Sequence, residues 1–329
     1  MAKLEHVKTA VKLIVGIAII LWLLQLANSS EVFAAVLKIH PINLIGAVVF
    51  FILASTFVAF SLCTTLRRSN PTVPLKDMIM ASYAGQLLSD VTPVRSGYFL
   101  TPIFLKQLAD IPVEQGMTAV LATGGINSIV KVAICLVGLG YFANRLPLSA
   151  EFTNAILFGV ASLLIAGAFL LLIMWNTRFT KLIVKFEKTP VIGNRLKTIT
   201  EMFRNVQKEG QKIKYSLIFV AALIVLSILA NGTALYLIFN GVWYPSLRIL
   251  DFFFIASFAS VLTYIPITIA GLGVQEAGYV ILLHLLHGLP LSVINPGFVA
   301  FALIARALFT GTDIIGVSTL LKAGLKPKT

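Results

Sequence analysis

The chain has 329 residues, 58% of them hydrophobic and only 12% charged, and a formal net charge of +13. Usage that apolar, with a mean hydropathy of +0.94, excludes a pair of soluble domains and indicates one integral membrane domain over 1–329. The basic excess is not a nucleic-acid signature, because Lys and Arg gather between apolar runs instead of alternating with aromatics on a soluble face, so no nucleic-acid partner is expected.

Lys3, Lys8 and Lys12 lead into an apolar run from Leu13 to Ala27, within a first candidate span of 11–27. It resembles a secretory signal, but the later runs make it an uncleaved anchor. Further stretches near the ~20 residues that cross a hydrocarbon core occupy 42–62, 117–142, 153–175, 215–240 and 296–321. Two regions between them, 76–108 and 251–288, are interrupted by proline, glycine and polar residues. Each reads as a helical hairpin, either re-entrant or crossing twice. The basic stretch 176–214 reads as an amphipathic helix or pair at an anionic leaflet surface, or else as a solvated linker. Cys63 and Cys135 have no CxxC or metal-ligand spacing and are packing residues. His284 and His287 stand one turn apart without carboxylate or thiol support, so packing is expected there also. No metal or cofactor is expected.

Charge placement gives the topology. If each hairpin returns to the side it left, the basic residues at both ends of the chain, at 67–76, at Lys106 and through 176–214 share one side. That side is cytoplasmic by the positive-inside rule. Lys38, Arg145 and Arg248 fall opposite, and Arg95, Lys131 and Arg306 lie at membrane depth. The order span, hairpin, span then occurs twice, entering from outside at 42 and from the cytoplasm at 215. The expected fold is therefore an all-α polytopic membrane bundle with an inverted repeat and two broken or re-entrant hairpins.

Ionisable groups at membrane depth face a cavity or one another. Those here are Asp90, Arg95, Lys131, Glu276, Arg306 and Asp313. Arg306 and Asp313 are two turns apart on one helix face and suit a common polar seam. Asp90 and Arg95 flank Pro93, and Glu276 follows Gly271 and Gly273, so both sets sit where a broken helix frees backbone groups. Lys131 is expected to pair with Asp90 or Asp313. The stretch "GLGVQE" is not a dinucleotide fingerprint, since Glu276 takes the third glycine position and no strand precedes it. Two readings of it stand: helix-terminal amides and Glu276 line a functional cavity, or the glycines allow close packing while Glu276 forms a structural pair with Arg306 or Arg95.

The stretch "YIPITIAGLGVQEAGYV" resembles the core of the lysylphosphatidylglycerol synthetase transmembrane-region family of flippase-like membrane proteins, through Pro266, Gly271, Gly273 and Glu276. Gln275 stands where that family usually has arginine. "LSDVTPVRSGYFL" is similar to the family's proline-arginine-glycine-glutamate motif through Pro93, Arg95 and Gly97, with Tyr98 replacing the acid, and Arg306 is similar in place to an arginine of its last helix. The resemblance implies a lipid translocase in the plasma or inner membrane, without the soluble synthetase domain of bifunctional relatives. Its substrate would be an anionic or aminoacylated phospholipid or a polyprenyl- or hopanoid-type lipid, bound through Arg95, Glu276, Arg306, Asp90, Lys131, Gln275 and Asp313. A homo-oligomer or a lipid-biosynthesis enzyme is the partner expected. Two rivals are a membrane enzyme using Glu276 or Asp90 as a base, although the chain shows no HExxH, DxD or nucleophile triad, and a scaffold acting through 176–214.

Overall fold

The computed structural model describes residues 2–143, 145, 150–176, 193–242, 247–264 and 267–325. Pro266 and residues 177–192 of the basic stretch lie outside the described residues. Among the described residues there is no strand, and five helices are long and apolar enough to cross a membrane. They fall on the expected spans: α3 (Pro41–Ser69), α6 (Val113–Ala143), the Ile156–Trp175 part of α7 (Ala150–Trp175), the segment carrying α9 (Leu217–Val242), and the segment carrying α12 (Pro296–Asp313).

Local chemistry sets where these helices begin. Pro41 and Pro296 occupy first-turn positions, where a missing N–H costs nothing. The residue before each supplies the cap: the Ile42 N–H donates to His40 Nδ1 at 3.4 Å, and the Gly297 N–H donates to Asn295 Oδ1 at 2.8 Å. Arg67 and Arg68 end α3, where cations suit the helix dipole and the membrane border.

The first span departs from a plain crossing. Helix α1 (Ala2–Leu26) gives way to α2 (Ser29–Leu37) with a bend of 88° between them. Asn28 sits between the two with φ 60°, a region asparagine tolerates better than most residues. Its side chain then accepts from Ser30 Oγ at 2.8 Å and donates to Glu31 at 3.0 Å.

Both interrupted regions are hairpins of short helices. The first runs α4 (Leu75–Asp90), a 3-10 turn (Ser96–Leu100) and α5 (Thr101–Ala109); the second pairs α10 (Ile249–Leu262) with α11 (Val274–Leu286). At 16, 9, 14 and 13 residues, each helix is shorter than the ~20 needed to cross alone. The two breaks meet: Pro93 and Ile269 form an isolated antiparallel backbone pairing. Helices α3 and α9, the leading spans of the two units, are packed along each other.

An aromatic core secures the second hairpin. Phe239, Phe252, Phe298 and Phe301 are all buried, and the Phe239–Phe301 and Phe252–Phe301 pairs are edge-on at 5.9 and 6.1 Å. The described part of the basic stretch is α8 (Gly193–Lys212), an amphipathic helix docked on α6 and α7 and not a solvated linker. Val206 is buried in that contact, and Gln207 Nε2 donates to the Ile173 and Asn176 carbonyls at 3.2 Å. Cys63 and Cys135 are buried free thiols. His284 is buried too, its ring within 2.8 Å of the Val280 carbonyl and accepting the Asn295 N–H at 3.1 Å.

Candidate functional site

The first break is built by residues that stop α4 and hold the chain turned. Pro93 cannot continue a helix, and Val94 and Arg95 follow it with φ of 55° and 56°. Two consecutive non-glycine residues in this left-handed region, one β-branched, are strained unless their surroundings hold them. Here they do. The Gly97 N–H donates to Thr92 Oγ1 at 2.7 Å and Ser89 Oγ donates to the Arg95 carbonyl at 2.8 Å. Gly97 also lies against the Leu88 backbone, where any Cβ would collide. Arg95 is thereby folded back on α4, its Nη2 donating to Asp90 Oδ1 at 2.8 Å, with its guanidinium 5.5 Å from the Phe309 ring centre.

The second break uses glycine for the same purpose. Gly271 and Gly273 have φ of 73° and 80°, and a Cβ on Gly271 would come within 2.7 Å of Thr263 Cα. Helix α11 then starts with Glu276 as its cap: Oε2 accepts the Gly273 N–H at 2.6 Å, and Oε1 lies 3.6 Å from Arg306 Nε. Arg306 closes the arrangement by donating to Gln275 Oε1 at 2.8 Å and to the Ala270 carbonyl at 3.2 and 3.3 Å. Glu276, with no solvent exposure, is therefore a helix cap and an ion-pair partner of Arg306.

Two cavities adjoin at the breaks. The larger, about 310 Å³, has a polar wall that includes Arg95, Lys131, Gln86, Asn127 and Asn231. Val94, Phe99 and Phe169, all exposed, give it an apolar rim. The smaller, about 40 Å³, shares Arg95, Lys131, Asn231 and Phe309 with the first and ends on Gln275, Tyr279 and Arg306. Those four shared side chains are the partition between the two spaces. Lys131 does not pair with Asp90 or Asp313 as its position in the sequence suggested. Its Nζ lies 5.7 Å from the Tyr264 ring centre, and among the described residues it has no carboxylate within ion-pair distance. Asp90 is engaged by Arg95, and Asp313 accepts from Ser55 Oγ at 2.8 Å.

Of the residues singled out in the sequence, Arg95, Lys131, Gln275 and Arg306 line cavity walls. Asp90, Glu276 and Asp313 are buried and line neither cavity: Asp90 pairs with Arg95, Glu276 holds the Gly273 N–H and faces Arg306, and Asp313 takes the Ser55 hydroxyl. Arg306 and Asp313, expected on one polar seam, have separate partners: Arg306 reaches the second break, and Asp313 meets Ser55 of α3. Pro93 carries the contact between breaks, and Gly97, Gly271 and Gly273 shape them. Asn231, Gln86, Ser55 and Tyr264 were not anticipated. The signal for the first was an isolated amide in the apolar run 217–239, and such a group at membrane depth needs a polar neighbour.

Residues 9–311 match the family model described as Lysylphosphatidylglycerol synthase TM region. No curated protein matches the chain.

Proposed function

We propose, from the premise that the chain belongs to the lysylphosphatidylglycerol synthase TM-region family, that this multi-pass membrane protein carries a lipid with an anionic head group between leaflets. The observation that carries the reading is Lys131. A lysine at membrane depth with no carboxylate partner among the described residues, on the wall of a 310 Å³ cavity, leaves one positive charge to be met by whatever enters. Arg95 adds a planar donor set beside it. A cavity of that size, at the low end for small-ligand sites, suits a phosphate-bearing head group and not the acyl chains. The chains would leave across the apolar rim of Val94, Phe99 and Phe169 and remain in the bilayer.

The same geometry favours a carrier over an enzyme. Asp90, Glu276 and Asp313 line neither cavity and are engaged with Arg95, Arg306 and Ser55, so none is placed to act as a base on a bound head group. Opposite orientation of the two span-hairpin-span units would let them rock about the touching breaks. The basic residues near both chain ends and in α8 support cytoplasmic termini in a plasma or inner membrane.

The test is leaflet exchange in reconstituted vesicles, using labelled phosphatidylglycerol, an aminoacylated phosphatidylglycerol, a polyprenyl phosphate and zwitterionic phosphatidylcholine. Lys131→Met and Arg95→Ala each remove a charge-assisted contact worth about 1.5–3 kcal/mol, so exchange of the anionic lipids should fall roughly tenfold to hundredfold. Equal exchange by the wild type, both variants and empty vesicles rejects the proposal. Chemical alteration of the lipid by the purified protein would replace it with the enzyme reading.

A further inference from the structure

The buried charges do not balance. Asp90, Asp251, Glu276 and Asp313 are the buried carboxylates among the described residues. Three have an arginine: Arg95 for Asp90 at 2.8 Å, Arg145 for Asp251 at 3.6 Å and Arg306 for Glu276 at 3.6 Å. Asp313 has none among the described residues. It lies on the last turn of α12 with no solvent exposure, packed beside α4: Gln86, one turn before Asp90, donates to the carbonyl of Ser55 at 3.3 Å, and the hydroxyl of that same Ser55 donates to Asp313. Each of these carboxylates uses Oδ1 for a partner of its own, Arg95 or Ser55, and each leaves Oδ2 buried with no donor. Two neighbouring buried carboxylates, each with an unpartnered oxygen, disfavour double ionisation, and one proton between them relieves both.

We propose that Asp90 and Asp313 form a proton-binding site, holding one shared proton when Arg95 rests on Asp90 and taking a second when an anionic head group draws Arg95 into the cavity. The first half stands on the charge count alone; the second rests on the lipid-carrier reading above. With the shared proton, two carboxylates and one guanidinium are neutral. A phosphate that captures Arg95 removes the positive charge from the pair, and the pair restores neutrality by binding another proton. The charged and titratable groups around the site are few. Arg95 comes from the first break and Tyr83 from α4, while Lys131 and Tyr264 face Arg95 from α6 and the second break. Ser55 of α3 contributes only a hydroxyl donor. Anion binding and proton uptake are then linked, and each must strengthen the other.

The first half is tested without transport, by infrared difference spectroscopy of the full protein in lipid nanodiscs. A carbonyl-stretch band of a protonated carboxylic acid should be present at neutral pH and lost in Asp313→Asn. That change leaves Asp90 alone with Arg95, and no proton is required. Absence of the band in the wild type, which needs no variant to fold, overturns the pair, and so does its persistence in a folded Asp313→Asn protein. The second half is tested in vesicles with a pH step across the membrane. One proton per lipid shifts the steady leaflet ratio of labelled phosphatidylglycerol about tenfold for each pH unit, and Asp313→Asn abolishes the shift. Exchange that depends on Arg95 and Lys131 but ignores the pH step would overturn the coupling and leave the carrier reading standing. Exchange that depends on neither residue would remove the carrier reading, with the infrared band still deciding the proton site.

Discussion

Replacing Glu276 with glutamine isolates the one interaction that the second break owes to charge. The amide keeps the shape of the side chain and an oxygen for the Gly273 N–H, now 2.6 Å away, but removes the negative charge 3.6 Å from Arg306 Nε. Two unit charges at that separation attract by about 4–5 kcal/mol at an effective dielectric constant near 20. Arg306 retains its bonds to Gln275 and the Ala270 carbonyl, so part of its desolvation stays compensated. The net loss should fall at the low end of the 3–5 kcal/mol typical of a broken buried pair, about 3 kcal/mol. The assay is a double-mutant cycle with Arg306→Met, read by denaturant unfolding in mixed micelles. A coupling of about 2 kcal/mol or more is expected, because the double variant leaves no charge buried alone. Additive single effects, agreeing within about 0.5 kcal/mol, would show that the pair contributes no charge stabilisation and refute the reasoning.

Other outcomes follow from single contacts. Gly271→Ala forces a side chain into the left-handed region and against Thr263, costing upwards of about 1–2 kcal/mol, whereas Gly140→Ala, with nothing within 4 Å of its Cβ, leaves thermal stability unchanged or slightly raised. Gln207→Ala removes two hydrogen bonds that dock α8, about 1–2 kcal/mol together; limited proteolysis within 176–214 should quicken roughly tenfold while the spanning helices stay intact. Cys63 and Cys135, 3% and 0% exposed, should resist a membrane-permeant thiol reagent until the protein is denatured, as mass spectrometry of the labelled chain would record.

The helical bundle was legible because the hydrocarbon core imposes a length on every crossing segment, and runs such as 42–62 and 215–240 meet it without a charged residue. The hairpins were legible as well. Pro93 and the Gly271, Gly273 pair forbid continuous helix, and the observed breaks stand where they are. The bend at Asn28 was not, since a lone asparagine after an apolar run is common and its turn depends on how α2 packs against α12. Partner choice was legible only in part. Spacing showed that Glu276 had an arginine within reach but not which one, and it suggested a carboxylate for Lys131 where the fold offers the Tyr264 ring. That substitution depends on the end of α10 arriving beside α6, and such long-range placement leaves no trace in local sequence. The meeting of α4 and α12, which brings Asp90 and Asp313 from more than two hundred residues apart to either side of Ser55 and Gln86, was hidden for the same reason.

The contact of Pro93 with Ile269 sets a mechanical condition on any rearrangement. Proline has no N–H to give, and among the described residues no backbone hydrogen bond joins 92–94 to 268–270, so the clasp is a loose backbone contact. A fastening that light couples the two fingertips only weakly: either can withdraw once the contact between them parts.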